Sequence, residues 1–416
     1  MTFRVTRLSE AMVQPCDPTP TGTLELSAID KISNFRVKVS ILFVFRYGNE
    51  AAKVITEALS KTLVLYYPLA GRLKELPCGE LQIACTGEGV WFMEASADCS
   101  LHSVNYFHDV PIIPHEKLLP TPPPGIYAPL MQIQLTRFTC KGFAMGLTIL
   151  HTVCDGLGTA QFLHALGEFA RGSPHPRIAP VWHREAVLAS PTLASTSTLP
   201  LPTPNYNLQR VFITISIDQI NKLKNEFVEL TGKHCSSADA VAASIWRHRT
   251  QAIDLEKDAN VNLVLFVNAR QFMDPPLPEG FYGNCIFPVI ITISSGWVVE
   301  ASNAEVVKLI KDAKARAPDE FKKWLKNDGN DPYNALSSYT TLSILQRQNL
   351  GYNQVDYGWG QPVNVLPIER YSLIPVVIVG LPPTPKKGIC LTTWCVNKKH
   401  LPPFLQYCTK AYISRL

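Results

Sequence analysis

Apolar residues recur along this chain with two different spacings, and each spacing indicates one type of secondary structure. Ile55, Leu59 and Leu63 lie four residues apart, as residues on one face of a helix do. They predict a helix over residues 49–66 that ends before Pro68, because proline lacks the N–H that a helix interior needs. The same spacing predicts three further helices, at residues 160–170, 236–250 and 304–317, the last of which is expected to end at Pro318.

Other segments alternate between apolar and polar residues, as a strand with one buried face does. Met131, Ile133 and Leu135 alternate with polar residues and predict a strand over residues 131–138. Residues 142–150 are apolar almost without interruption, which is typical of a strand buried on both faces. Four more strands are predicted, at residues 211–217, 261–267, 374–380 and 389–395. Helices and strands that follow each other in this way predict an α/β fold.

The composition changes between residues 171 and 210, where proline, serine and threonine dominate. Seven prolines lie between Pro174 and Pro204, and regular structure cannot persist where so many backbone N–H donors are missing. We therefore predict a crossover linker at residues 173–208 between two domains, at residues 1–172 and 209–416.

The composition excludes several classes of protein. Apolar residues make up 46% and charged residues 18% of the 416 residues, which is incompatible with a disordered chain or a coiled coil. The 39 basic residues are scattered among 34 acidic ones, so the net charge of +5 forms no patch of the kind that binds nucleic acid. No apolar run approaches the ~20 residues of a membrane helix, and the N-terminus resembles no signal peptide. We therefore expect a soluble, cytoplasmic protein with no nucleic-acid or membrane partner.

The cysteines give no reason to expect a metal site or a disulfide framework. Eleven is an odd number, so they cannot all pair within the chain, and no C-x-x-C motif is present. His151 and Cys154 have the spacing of one half of a zinc site, but no second pair accompanies them. We expect reduced thiols and no bound metal.

A first group of chemically useful residues follows the buried strand that is predicted to end at Leu150. His151 comes directly after it, and an imidazole with a pKa near ~6.5 can accept a proton at neutral pH. Asp155 lies four residues later, but Gly156 and Gly158 indicate a turn, in which the carboxylate would orient the loop rather than touch the imidazole. Alternatively, His151 is an ordinary buried histidine and Asp155 a helix cap. Taken alone, the motif favours this structural interpretation.

A second group lies in the loop Asp356-Tyr357-Gly358-Trp359-Gly360. Two glycines flank the tryptophan, so the backbone can follow an unusual path and approach another group closely. The indole N–H of Trp359 is a hydrogen-bond donor that could face a developing oxyanion. Alternatively, Trp359 is an aromatic plug that fills a turn, and the motif taken alone favours this second interpretation.

Taken together, the two motifs change the interpretation. The motif His-x-x-x-Asp-Gly from His151, followed about 200 residues later by the loop at residues 356–360, resembles the BAHD acyltransferase family of plants. The resemblance runs along the whole chain, through residues 18–20, 26–30, 67–72, 85–89, 268–270 and 282–284. Three stretches look most similar to the grass members that transfer p-coumaroyl or related hydroxycinnamoyl groups to monolignols, at residues 97–101, 331–333 and 355–360.

The resemblance implies a fold of two chloramphenicol-acetyltransferase-like domains with a channel between them. His151 would lie at the middle of the channel and act as the general base. Because it takes the proton from the acceptor directly, no covalent acyl-enzyme would be needed. Trp359 would donate a hydrogen bond to the tetrahedral oxyanion.

The carboxylates of both catalytic motifs would support these two groups. Asp155 would pair with Arg270 and thereby keep the geometry of the loop that carries the general base. Asp356 would likewise fix its own loop, whose path depends on Gly358 and Gly360.

The resemblance also indicates where the substrates bind. Lys233, Ser236 and Ser237 lie where the family contacts CoA, although the serines also fit an ordinary helix N-cap. Ser40, in the first strand, would line the acceptor side. Relatives that use an acidic acceptor carry a basic residue shortly before the second motif. Arg347 is near that position but not clearly in register, so a neutral alcohol or an amine is favoured.

We therefore expect an acyltransferase that moves a hydroxycinnamoyl or benzoyl group from its CoA thioester to a small alcohol such as a monolignol, with an aromatic or aliphatic amine as the alternative acceptor. Acyl-CoA would be a co-substrate, no cofactor would stay bound, and the chain would act as a monomer. A hydrolase is disfavoured because no G-x-S-x-G elbow is present. A degenerate relative that only binds ligands would be expected to have lost His151 or the Gly-Trp-Gly sequence, and this chain has kept both.

Overall fold

The computed structural model describes residues 3–108, 115–121, 128–187, 205–326, 328, 331–333, 338–368 and 374–412. The strands in these ranges are β1 (Val5–Val13), β2 (Thr23–Glu25), β3 (Lys38–Phe45), β4 (Arg72–Glu75), β5 (Leu81–Ala84), β6 (Val90–Ala97), β7 (Met131–Arg137), β8 (Phe143–Leu150), β9 (Leu208–Ile215), β10 (Asn260–Asn268), β11 (Ile286–Ser294), β12 (Thr341–Gln346), β13 (Asn364–Pro367), β14 (Val376–Gly380) and β15 (Ile389–Asn397). The helices are α1 (Ala51–Leu65), α2 (Gly156–Ala170), α3 (Ile217–Thr231), α4 (Ser237–Ile253), α5 (Ser295–Glu300), α6 (Asn303–Leu325) and α7 (Leu401–Tyr412). Within the same ranges, every helix is too short or too polar to cross a membrane.

The strands form two large sheets and one small one. The first sheet has the order β1-β6-β7-β8-β3-β13, and the second has the order β11-β10-β12-β14-β15-β9. The small sheet consists of β2, β5 and β4. Neighbouring strands are antiparallel except in three pairs, β6–β7, β10–β12 and β12–β14. One large sheet belongs mainly to each half of the chain, and both halves also contain helices. The predicted α/β architecture with two parts is therefore confirmed.

The strand with the long apolar run lies inside the first sheet, between β7 and β3. Every residue of β8 from Phe143 to Ile149 is buried. On one face Leu147 packs in the core formed with α1 and α2, and on the other Ala144 packs with Leu42 in a separate cluster. Both faces are therefore covered, which is why this strand has no polar alternation.

The structure corrects the predicted end of one helix. α6 does not stop at Pro318 but continues to Leu325 with the proline inside it. Beyond the proline, Phe321 and Trp324 are buried in the core of the C-terminal half. Burial of two large aromatic side chains offsets the hydrogen bond that the proline cannot make, a cost of ~3 kcal/mol.

One helix that the sequence analysis did not predict follows β9. Ser216 begins α3 with a capping box, in which it exchanges hydrogen bonds with Gln219, and Gly232 ends it in the left-handed conformation. The strand predicted to reach residue 217 therefore ends at Ile215. The buried residues of α3 recur at helical spacing and are Ile220, Leu223 and Phe227.

A strand from the C-terminal half belongs to the N-terminal sheet. β13 pairs antiparallel with β3, with Val365 opposite Phe43. The side chain of Asn364 donates to the carbonyls of Tyr106 and Phe107 at 3.1 and 3.2 Å. The two halves are therefore connected by more than the linker. The boundaries at residues 173 and 208 stay a prediction, and positions 188–204 of the linker lie outside the described residues.

Candidate active site

His151 lies where the two halves of the chain meet. It follows the last residue of β8 and opens a single 3-10 turn, His151–Val153. From the N-terminal half, the carbonyl of Val37 accepts its backbone N–H at 2.8 Å, and the ring of Phe35 stacks on the imidazole. From the C-terminal half, the side chain of Asn284 donates to its backbone carbonyl at 2.8 Å. The position of His151 therefore depends on both halves.

Asn284 is held in turn by a buried ion pair that the sequence analysis did not identify. Its side chain and its backbone N–H donate to Asp30 at 2.7 and 3.1 Å. Asp30 pairs with Arg184 at 2.8 Å, and both side chains are almost completely buried. Arg184 also donates to the carbonyl of Val153 at 2.7 Å. One network of hydrogen bonds therefore supports both ends of the His151 turn.

The sequence carried a partial signal for this network. Asp30 and Asn284 lie in two of the segments that carry the family resemblance, at residues 26–30 and 282–284. A single charged residue in an otherwise apolar segment indicates a buried partner, because an unpaired buried charge is costly. Arg184, however, lies in the proline-rich region that was predicted to be a linker, so nothing local identified it as that partner.

Asp155 anchors the start of α2 to the C-terminal half. It is the N-cap of the helix, and its side chain accepts the N–H of Gly158 at 2.9 Å. The two terminal guanidinium nitrogens of Arg270 donate to its two oxygens at 2.9 Å, and the N–H of Cys285 donates at 3.0 Å. The predicted pair of Asp155 and Arg270 is present in the structure. The helix cap that was its alternative is present as well, so the carboxylate has both roles.

Both partners of this pair are ionised at neutral pH. Burial alone would raise the pKa of Asp155, but the charge and hydrogen bonds of Arg270, together with two backbone amides, hold that pKa below its usual range. Burial alone would lower the pKa of Arg270, but the charge of Asp155 raises it above the usual value. The carboxylate accepts four hydrogen bonds, none of which comes from His151. Asp155 therefore positions backbone rather than sharing a proton with the imidazole.

The first turn of α2 packs directly on the backbone of the C-terminal half. A Cβ atom at Gly158 would lie only 1.9 Å from the carbonyl oxygen of Tyr282, far inside van der Waals contact. No other residue fits at this position without moving the two halves apart. The glycine that suggested a turn in the sequence is needed for this close approach.

The loop of the second motif is fixed by its own aspartate. The carboxylate of Asp356 accepts the N–H groups of Gly358 and Gly360 at 2.8 and 3.0 Å. Both glycines have positive φ angles, +105° and +87°, which other residues rarely adopt. Arg171, at the end of α2, donates to the backbone carbonyl of Asp356. These contacts have the loop-fixing geometry predicted for the aspartate and its two glycines.

The structure does not bring Trp359 to His151. The indole packs edge-on against Phe143, with ring centroids 5.8 Å apart. Phe143 opens β8, whereas His151 follows its last residue. A strand rises about 3.3 Å per residue, so roughly 25 Å separate the two ends of β8. An oxyanion donor must lie within about 3 Å of the oxyanion, so the predicted role of Trp359 as that donor is incompatible with this position.

The three residues predicted to contact CoA lie at the junction of α3 and α4. Ser236 is the N-cap of α4 and accepts the N–H of Asp239 at 3.0 Å, and Ser237 is the first residue of the helix. Lys233 is exposed between the two helices. Helix capping thus explains Ser236 by itself, and a CoA contact of these residues stays a prediction.

Ser40 lies in β3 opposite Thr148 of β8, and their hydroxyl oxygens are 3.0 Å apart. A cavity of about 80 Å³ lies nearby, between the edge strand β13 and the second sheet. Arg347 and Lys386 line this cavity together with Asn364. The basic residue whose register was uncertain in the sequence thus reaches a cavity between the two sheets. The assignment of Ser40 to the acceptor side stays a prediction.

Removing either member of the Asp155–Arg270 pair should destabilise the protein strongly. Asp155→Ala and Arg270→Ala each leave one buried charge without its partner, which typically costs roughly 3–5 kcal/mol. Both variants should therefore have clearly lower melting temperatures, measured by differential scanning calorimetry. Arg316→Ala is a matched control, because its partner Glu320 lies on an exposed helix face. Wild-type melting temperatures in both pair variants would contradict the structure.

The contribution of the Asp155–Arg270 pair to the free energy of unfolding should decrease as the pH falls. The pKa of Asp155 is lower in the folded protein than in the unfolded chain. Its contribution to the free energy of unfolding is therefore fully present above the unfolded pKa of ~3.9 and is lost as the pH falls through the pKa of the folded protein. The difference in free energy of unfolding between wild type and Asp155→Asn should therefore be largest above about pH 5 and shrink below about pH 4. Urea denaturation of both proteins across this range measures it. A difference that does not change with pH would contradict an ionised Asp155.

Comparisons with known proteins agree with the fold and show the family of the chain. The family described as "Transferase family" matches residues 3–393. The chain is 41% identical to acyl transferase 4 of Oryza sativa subsp. japonica, over 97% of this chain and 98% of that protein. It is 39% identical to a myricetin 3-O-glucosyl 1,2-rhamnoside 6'-O-caffeoyltransferase of Crocosmia x crocosmiiflora, over 97% of this chain and 98% of that protein. It is also 32% identical to a 3'-N-debenzoyl-2'-deoxytaxol N-benzoyltransferase of Taxus canadensis, over 100% and 98%.

Among solved structures, the chain is similar to vinorine synthase, with a TM-score of 0.72 and 19% identity over 96% of both chains. It is also similar to F. graminearum TRI101 complexed with coenzyme A and T-2 mycotoxin, with a TM-score of 0.76 and 13% identity over 92% of this chain and 96% of that one. These likenesses confirm the predicted fold. With a family match over nearly the whole length, the chain belongs to the transferase family of BAHD acyltransferases and is an acyl-CoA-dependent enzyme of that kind.

Proposed function

We propose that this enzyme transfers a hydroxycinnamoyl group from its CoA thioester to the hydroxyl of a small alcohol, with His151 as the general base. The observation that carries the proposal is the position of His151. Its backbone N–H donates to the carbonyl of Val37 on one side, and its carbonyl accepts the side chain of Asn284 on the other, which fixes its backbone at the junction of the two halves. A base held there can meet two substrates that enter from different sides.

The proposed mechanism has one proton acceptor and no covalent intermediate on the protein. The acceptor O–H bond breaks as its proton passes to the imidazole of His151, and the acceptor oxygen bonds to the thioester carbonyl carbon. The C–S bond then breaks, and the CoA thiolate takes the proton from the imidazolium. Asp155 keeps the turn in place through Arg270. Because Trp359 lies at the far end of β8, the oxyanion requires a donor from another element.

The names of two relatives support the choice of donor. The Crocosmia relative is a caffeoyltransferase and the Taxus relative is an N-benzoyltransferase, so both use aromatic acyl groups. The first supports a hydroxycinnamoyl donor with an oxygen acceptor. The second favours the alternative of an amine acceptor, which the same general base would serve. We retain Lys233, Ser236 and Ser237 as the proposed CoA contacts, because Lys233 offers an exposed cation beside the N-terminus of α4.

A matrix of donors and acceptors tests the proposal. The donors are p-coumaroyl-, caffeoyl-, benzoyl- and acetyl-CoA. The acceptors are coniferyl alcohol, a flavonol glycoside, an aliphatic amine and shikimate, the last because Arg347 and Lys386 line the cavity between the sheets. Products are identified by mass spectrometry, since the protein's own eleven cysteines would interfere with a thiol reagent. Ester formation from p-coumaroyl- or caffeoyl-CoA with an alcohol is expected. Exclusive formation of amides would favour the alternative, and hydrolysis without transfer would contradict both.

His151→Ala should lose most of its activity with an alcohol acceptor while keeping its fold. A positioned general base contributes about 10²–10⁴-fold to the rate, so kcat with p-coumaroyl-CoA and coniferyl alcohol should fall by that factor. Circular dichroism and the melting temperature should stay close to those of the wild type. His175→Ala, on an exposed loop, is the matched control. A kcat near the wild-type value in His151→Ala would show that another group accepts the proton.

Trp359→Phe should leave catalysis nearly intact. Loss of one oxyanion donor costs about 10²–10³-fold in kcat, whereas a residue at the far end of β8 should change kcat by less than about threefold. Phenylalanine keeps most of the contact with Phe143 but removes the indole N–H. Steady-state kinetics with p-coumaroyl-CoA and coniferyl alcohol measure the effect. A hundredfold loss of kcat at unchanged melting temperature would restore the oxyanion role that the structure argues against.

A further inference from the structure

The aromatic ring that stacks on His151 is placed to act on its chemistry. The ring of Phe35 is nearly parallel to the imidazole, with an interplanar angle of 10° and centroids 4.7 Å apart. We propose that Phe35 is a positioning residue for acyl transfer, whose ring fixes the plane of the His151 imidazole and stabilises the imidazolium cation formed during the reaction. The inference rests on the proposed function of His151 as the general base.

Two hydrogen bonds fix the two rings relative to each other. The N–H of His151 donates to the carbonyl of Val37 at 2.8 Å, and the hydroxyl of Thr152 donates to the carbonyl of Phe35 at 3.0 Å. The first bond joins the two backbones directly, and the second joins the residue after His151 to the backbone of Phe35. The stack is therefore part of the fold and not a chance contact of two mobile side chains.

A ring from the C-terminal half also contacts Phe35. The ring of Tyr333 meets it edge-on, with centroids 6.0 Å apart and an interplanar angle of 84°. Tyr333 is itself fixed, because its hydroxyl donates to the carbonyl of Ile286 at 2.6 Å and its carbonyl accepts the side chain of Asn34 at 2.9 Å. Phe35 is only 8% exposed. Burial and the contact with Tyr333 thus restrict the movement of the Phe35 ring.

The stack should favour the charged form of the imidazole over the neutral one. The face of an aromatic ring carries partial negative charge, and a cation within about 6 Å of its centroid is attracted to it. In the proposed mechanism, the acceptor proton passes to the imidazole and later leaves with the CoA thiolate. His151 is therefore a cation only between these two steps. An interaction that acts mainly in this interval lowers the barrier without tightening the binding of either substrate.

Other ionisable groups lie on the elements that surround His151. They are Arg36 and Lys38 beside Phe35, Cys154 and Asp155 after the His151 turn, Asp30, Arg184 and Cys285 around Asn284, and Tyr333 behind Phe35. None of them is changed in the variants below. A difference between those variants therefore reports the ring alone.

The test compares one substitution at two places. Phe35→Leu removes the aromatic face beside the imidazole, and Phe287→Leu is the matched control, because Phe287 lies in the same core 6.3 Å from Tyr333. Phe35→Tyr retains the aromatic face. The pKa of His151 is measured in each free enzyme by NMR titration of ¹³C-labelled histidine, with the signal assigned from its absence in His151→Gln. Steady-state kinetics use p-coumaroyl-CoA and coniferyl alcohol.

Phe35→Leu should lower the pKa of His151 by about 0.5–1 unit, since loss of the stack destabilises only the cation. Its kcat should fall by about three- to tenfold, because one pKa unit corresponds to a tenfold change in the equilibrium between the two forms, while KM for p-coumaroyl-CoA stays unchanged. Phe35→Tyr should restore both values. Phe287→Leu should lower the melting temperature without moving the pKa.

Equal pKa values of His151 in Phe35→Leu and Phe287→Leu would overturn the inference. So would a loss of activity that Phe35→Tyr does not restore. Failure of the proposed function gives a different result, because His151→Gln would then retain transfer activity whatever the NMR titration shows. The titration needs no substrate, so the stacking effect is measured even if the acceptor differs from coniferyl alcohol.

Discussion

The buried ion pair between Asp155 and Arg270 joins the two halves of the chain next to His151. Asp155 caps α2 of the N-terminal half, and Arg270 opens the 3-10 turn Arg270–Phe272 that follows β10 of the C-terminal half. Taking two charges out of water is costly, and a complete set of hydrogen bonds around both groups is needed to offset that cost. A small shift between the halves would break several of these bonds at once. The pair therefore specifies one arrangement of the halves.

The segment at residues 281–285 connects this pair to the site. Arg270 donates to the carbonyl of Gly283 at 2.8 Å, and the neighbouring Asn284 donates to the carbonyl of His151. The second buried pair, Asp30 with Arg184, meets the same segment through Asn284. The carbonyl of His151 is thus linked through Asn284 to Asp30. The carbonyl of Val153, at the other end of the turn, accepts a hydrogen bond from Arg184, the partner of Asp30. The contributions of these residues to stability and to the position of His151 are inseparable, because the same bonds that stabilise the fold also hold the His151 turn.

Features with a local pattern could be predicted from the sequence, and features that depend on distant partners could not. The apolar run of β8 and the helical spacing of α1 indicated both elements, whereas α6 extends past Pro318 because buried residues beyond it pack on the core.

The motifs identified His151, and the resemblance paired Asp155 with Arg270. The residue type of Trp359 indicated a hydrogen-bond donor but not its distance from His151, which the length of β8 determines. Phe35 and Arg184 were missed because their partners are remote in sequence.

A double-mutant cycle on Asp155 and Arg270 tests most directly whether this pair holds the site together. Free energies of unfolding are measured by urea denaturation for the wild type, the two alanine variants and the double variant. Each single variant leaves a buried charge unpaired, whereas the double variant leaves none. It should therefore be no less stable than the less stable single variant, with a coupling energy of about 3 kcal/mol. Effects that add to within about 0.5 kcal/mol would contradict a buried pair on which the arrangement of the two halves depends.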